Sequence, residues 1–82
     1  MKATYRTRGT CAELIDLEIE DGIIKSATFT NGCSGNTQGI SALVAGMDAN
    51  EAAERLRGIR CGHRDTSCPD QLARAIDEIT KN

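Results

Sequence analysis

The chain has 82 residues, a formal net charge of −2, no Trp, one Phe (Phe29) and one Tyr (Tyr5). That length predicts one domain over 1–82, burying roughly 60% of the surface of its unfolded chain around a thin core of Ile, Leu, Val and Ala, and small domains of this kind often add a metal, a disulfide or a partner. Both charge signs are interspersed and no apolar run approaches a bilayer span, which argues against a nucleic-acid surface, a polybasic membrane patch or a membrane-spanning helix.

Residues 2–8 are polar and β-prone, the pattern of an edge strand, which Gly9-Thr10 breaks. From Leu14 to Glu20 the chain alternates, with Ile15, Leu17 and Ile19 on one face and Asp16, Glu18 and Glu20 on the other, the period of a half-buried strand. Asp21-Gly22 is a hairpin turn signal, and Ile23 to Thr30 returns as the next strand with Ala27 and Phe29 inward, ended by Asn31-Gly32. The period then changes. Ile40, Leu43, Val44 and Met47 make one apolar stripe, predicted to be core, on a helix ending at Gly46 or Met47. Asp48 to Glu51 reads as an acidic cap opening a second helix through Arg57, with Gly58 its stop. A third helix starts at Ser67-Cys68-Pro69-Asp70, with Pro69 at the first helical position and a stripe of Leu72, Ala75, Ile76 and Ile79. A three-stranded antiparallel meander followed by three helices packed on one face is an α+β, two-layer architecture.

The cysteines fall at the joints of this layout: Cys11 before a strand, Cys33 after one and Cys68 at a helix start, with Cys61 seven positions before Cys68 and His63 between them. Helix N-termini and open backbone N–H groups favour the thiolate, the form that binds soft metals and does sulfur chemistry. The N-terminal residues hold no leader-like apolar segment, so the chain reads as cytoplasmic, where thiols stay reduced and four cysteines mean metal or redox chemistry rather than a disulfide framework. The plainer reading of each is a small buried hydrophobe for a cysteine and a solvated loop residue for His63. Gly32 to Asn36 resembles a phosphate cradle only weakly, lacking a glycine fingerprint and a lysine. Arg57, Arg60 and Arg64 form either a small anion patch or a solvated face. No nucleophile motif and no paired carboxylates stand out, so a cofactor-free enzyme of this size is not expected.

The string Thr66-Ser67-Cys68-Pro69-Asp70, preceded by Leu56 to Cys61 and, further upstream, by Asn31 to Asn36, resembles the TSCPD domain family over essentially the whole chain. That family includes small stand-alone bacterial proteins and a domain of adenosylcobalamin-dependent ribonucleotide reductases outside the catalytic barrel. The resemblance implies a stand-alone accessory domain with a larger protein partner such as a ribonucleotide reductase, under the labels ribonucleoside-diphosphate reductase, nucleotide binding and DNA synthesis. A weaker resemblance links the order Cys11-Ala12-Glu13, strand, Asp21-Gly22, strand, Gly32-Cys33, helices and Ser67-Cys68 to the IscU/NifU-like iron–sulfur scaffold proteins, where three cysteines and an acidic residue meet at one end of the sheet. It implies an IscU-like fold in which Cys11, Cys33 and Cys68 match the cysteines and Glu13 the acid, while Ser67 stands where scaffolds have a histidine.

The expected site is thus a thiolate cluster of Cys11, Cys33, Cys61 and Cys68, with Glu13 and His63 as alternate ligands. Zinc is the expected metal and an iron–sulfur cluster the alternative cargo. The two functional classes are an accessory domain of ribonucleotide reduction and a sulfur or cluster carrier.

Overall fold

A computed structural model describes residues 2–9, 12–31, 34–60, 62 and 65–80, with only the backbone described at 34 and 36. Three strands, β1 (Lys2–Arg6), β2 (Leu14–Glu20) and β3 (Ile23–Thr30), form an antiparallel sheet in the order β1-β2-β3. Helices α1 (Ser34–Val44), α2 (Ala49–Leu56) and α3 (Cys68–Ile79) follow, so the α+β meander-then-helices order holds. Asp21 and Gly22 take φ of 53° and 77°, the left-handed pair of a type I′ turn, whose twist matches that of the strands it joins.

Alternation on β2 is clean: Ile15, Leu17 and Ile19 are buried, while Asp16 and Glu20 are exposed. On β3 it is interrupted. Glu18 pairs with Ser26 but Ile19 pairs with Ile24, leaving Lys25 as an extra residue. This bulge turns both Ile24 and Ala27, three positions apart, into the core and leaves Lys25 and Ser26 exposed. The helices cover that inner face: α1 packs on β3, α3 on β2, and α2 on α3. Ala52 and Ala53 of α2 and Ala73 and Ala75 of α3 are all buried, and small side chains let helices and sheet approach closely around Ile15, Ile24, Leu72 and Ile76. The other sheet face, including Thr4, Asp16, Ser26 and Thr28, is exposed.

Several boundaries and burials differ from the sequence reading, among them α2, which ends at Leu56 because Arg57 is its C-cap in an extended conformation. β1 ends at Arg6 rather than at residue 8: beyond it the Thr7 hydroxyl bonds Ala12 O, Gln71 Oε1 takes the Arg8 N–H at 3.1 Å, and Gly9 turns the chain at φ 74°. Helix α1 stops at Val44, before Gly46 at φ 87°. Leu43, expected in the core, is 76% exposed. Ile40 and Val44, one turn apart, carry the contact with β3, and α1 has little of α3 beside it, so the flank bearing Leu43 meets solvent. Pro69 is the second residue of α3, Cys68 the first, with Ser67 as N-cap.

The segment after α1 closes part of the β3 edge. Gly46 N–H bonds Ile24 O at 2.8 Å, Ile24 N–H bonds Met47 O at 2.9 Å, and Ala49 N–H bonds Gly22 O at 2.8 Å. Asp48 then caps α2, its carboxylate accepting from Glu51 N–H at 3.0 Å.

Candidate functional site: a polar clasp at the start of helix α3

Four polar side chains are buried at the N-terminus of α3: Thr66, Ser67, Asp70 and Gln71. Burying them is favourable only if each finds partners. They do, and the partners come from separate parts of the chain. Ser67 Oγ accepts from Asp70 N–H at 3.1 Å and donates to Ile59 O at 2.6 Å. The Asp70 carboxylate, 2% exposed, accepts from Gly58 N–H at 2.7 Å, from the Thr66 hydroxyl and from Arg74 Nε at 3.1 Å. Gln71, 1% exposed, donates through Nε2 to Thr66 Oγ1 at 2.9 Å and accepts the Arg8 N–H through Oε1. No buried side-chain polar atom among the described residues lacks a partner.

Ser67 and Asp70 hold the positions of a capping box, with half of the motif redirected. The hydroxyl caps Asp70 N–H as usual, whereas the acid reaches outward to Gly58 instead of back to its own helix start. Burial alone raises the Asp70 pKa. The Thr66 hydroxyl, the Gly58 N–H and the Arg74 guanidinium outweigh it and hold the carboxyl below the ordinary aspartate value. The α3 N-terminus favours the same anion.

The clasp joins three stretches of chain. Gln71 holds Arg8, and the neighbouring Gly9, at φ 74°, stands so close to Thr66 that an added Cβ would lie 3.1 Å from Thr66 Cγ2. Asp70 and Ser67 hold Gly58 and Ile59, where α2 gives way to the loop that returns at Thr66. The strap between β1 and β2 is pinned to the sheet end as well: Thr7 N–H bonds Glu13 O at 3.1 Å, and Glu13 N–H bonds Thr30 O at 2.8 Å. Arg8, three positions before 11, and Gly58 and Ile59, three and two positions before 61, are thus tied to the start of α3.

Of the six expected ligands, Cys68 and Glu13 are described; Cys11, Cys33, Cys61 and His63 lie outside the described residues. Cys68 occupies the first turn of α3 as a free thiol, 7% exposed, a burial common to a packing cysteine and to a shielded thiolate donor. Glu13 is exposed at the sheet end where β2 begins. Among the described residues no three Cys, His, Asp or Glu side chains stand together as a metal site. In the arginine patch, Arg57 is engaged, its Nη2 reaching both carboxylate oxygens of Asp77 at 2.8 and 2.7 Å, and Arg64 is outside the described residues. Of the phosphate cradle, Gly32 and Cys33 are likewise outside them.

Reading the string around Cys68 for its thiol missed the clasp itself. Its signal was present: Ser67 followed three residues later by an acid is a helix-start signature, and a Thr before it and a Gln after it are hydrogen-bonding types ahead of an apolar stripe.

Among the described residues no helix is long and apolar enough to cross a membrane. No curated protein and no solved structure matches the chain, so the resemblance to iron–sulfur scaffolds gains no support from known proteins. The family model of the TSCPD domain matches residues 2–80, which takes in every strand, every helix and the whole clasp. The chain belongs to the TSCPD domain family.

Proposed function

We propose that this protein is an accessory domain that holds one metal ion, zinc, through Cys11, Cys33, Cys61 and Cys68, and that serves a larger protein of ribonucleotide reduction. The observation that carries the metal site is the anchoring of the chain around it. Cys11 adjoins Ala12, whose carbonyl accepts from the Thr7 hydroxyl, in the strap bonded by Gln71 and packed against Thr66. Cys61 adjoins Arg60 and Gly62, in the loop that leaves from Gly58 and Ile59 and returns at Thr66. Cys33 precedes Ser34, the first residue of α1, in sequence and follows the end of β3, where Glu13 N–H bonds Thr30 O.

The donor set fits zinc. Four thiolates make a closed tetrahedral site, which cross-links loops and leaves no open position for catalysis. Such a cross-link suits a domain whose core holds few large side chains. Glu13 and His63 stand as alternate ligands, the first at the same sheet end as the β2 start. The role in ribonucleotide reduction rests on family membership, and the larger partner follows from the small size of the domain.

The test is anaerobic reconstitution of the reduced protein with zinc or with iron and sulfide, followed by metal analysis and absorption spectroscopy. Retention of one colourless zinc per chain, bound more weakly in Cys68→Ser, is expected. A stable coloured cluster bound in preference to zinc would replace this reading with that of a cluster carrier.

A further inference from the structure

Among the described residues no strand pairs with the outer edge of β1, and the polarity of hydrogen bonding along that edge can be read from the hairpin. A two-residue turn at Asp21-Gly22 makes Glu20 and Ile23 a hydrogen-bonded pair, so Glu20, Glu18 and Asp16 direct their backbone groups to β3. Ile15 and Leu17 then face β1, where they pair with Tyr5 and Ala3. Lys2, Thr4 and Arg6 therefore direct their N–H and C=O groups away from the sheet. The next outward N–H along the chain is that of Arg8, and Gln71 takes it. Among the described residues the edge is thus closed at its far end by α3 and open along β1. A groove runs beside it, lined by Tyr5, Arg6, Arg8, Arg74 and Glu78. Arg6 and Arg8 make no ion pair with any described residue, and Arg74 gives only its Nε to Asp70. Three cations outweigh one acid in that groove.

We propose that the open edge of β1 takes an extended acidic segment of a partner protein as an added strand. Backbone groups of Lys2, Thr4 and Arg6 would bond the incoming strand, and carboxylates on it would meet Lys2 and the arginines. Charge selects this occupant over a second copy of the chain. Antiparallel pairing of two β1 strands about Thr4 sets Lys2 against Arg6 twice, and like charges directly opposite are unfavourable. The surface lies on the sheet edge and stands independently of the thiolate site.

The test uses the whole chain and a short fluorescein-labelled peptide of alternating Glu and Val, followed by anisotropy. Two further peptides carry N-methyl groups on alternate residues, one in each phase. Expected is saturable binding of the Glu-Val peptide and none of its Lys-Val counterpart. N-methylation in one phase should weaken binding by about tenfold or more and in the other by less than about threefold, since only one phase meets the edge. Arg6→Glu should weaken it about tenfold, with an unchanged melting temperature. Thr4→Pro, which removes an N–H outside the ladder, should act likewise, and the peptide pair carries the test alone if that variant unfolds. Equal binding of both methylated peptides, or no saturable binding of the Glu-Val peptide, overturns the proposal. So does displacement by single-stranded DNA or tripolyphosphate at lower concentration than by unlabelled peptide, which would mark a general polyanion surface.

Discussion

Asp70 brings together three donors from different parts of the chain on one buried carboxylate: the Gly58 N–H, the Thr66 hydroxyl and Arg74 Nε. Asp70→Asn keeps the shape but turns an amide donor toward other donors. It is expected to cost about 1–3 kcal/mol, and each kcal/mol lowers the melting temperature of a domain this size by about 4–8 °C. The pH dependence has a definite sign. The folded pKa lies below the unfolded value, so the stabilisation is fully present above the unfolded value and is lost as pH falls through it toward the folded one. Between about pH 5 and pH 3 the wild-type melting temperature should therefore fall more steeply than that of Asp70→Asn, and parallel curves would count against the clasp. Gly9 is the second sensitive residue. Its φ of 74° and the 3.1 Å approach of an added Cβ to Thr66 Cγ2 predict a loss of about 1–2 kcal/mol for Gly9→Ala, read by urea unfolding.

At the scale of elements, turn and cap chemistry made the layout legible. Asp21-Gly22, Asp48 with Glu51, Gly58 and Ser67 with Asp70 each mark a boundary by a local backbone requirement, and β2 lies where alternation put it. What was not legible needed tertiary contacts. The β3 bulge at Lys25 leaves only a broken alternation, and the chain just past β1 is held by Gln71, which is remote in sequence. Leu43 fits the helical stripe as well as Val44 does; only the placement of α1 at the end of the helical layer separates them. Leu43→Ser is accordingly expected to change stability by less than about 0.5 kcal/mol, whereas Ile76→Ala, emptying a fully buried site, should cost about 2–5 kcal/mol. Equal losses in chemical denaturation would mean that α1 packs with its other flank. Asp48→Ala should cost about 1 kcal/mol through the lost α2 cap.

For the whole molecule, the cysteine pattern pointed to the site proposed above, and the start of α3 is a hub that bonds the strap after β1 at Arg8 and the chain leaving α2 at Gly58 and Ile59. The cysteines could be named from the sequence, but the residues that tie Arg8, Gly58 and Ile59 to α3 were hidden among ordinary polar side chains. The isolated chain is not expected to reduce ribonucleotides. That chemistry needs a radical-generating cofactor and a nucleotide enclosed with reactive cysteines in a large pocket, whereas the grooves among the described residues lie open on the sheet and its edges. Turnover by the purified chain with adenosylcobalamin and a dithiol, above the rate without protein, would refute this. A chelator should lower the melting temperature of zinc-loaded protein, because a metal that binds only the native state stabilises it by mass action.

The most direct measurement is X-ray absorption at the zinc edge on reduced protein loaded with zinc. Four sulfur neighbours at about 2.3 Å are expected, falling to three in Cys33→Ser as in Cys68→Ser. A first shell of oxygen and nitrogen, or a shell unchanged by either substitution, would contradict a thiolate site gathered at the start of α3.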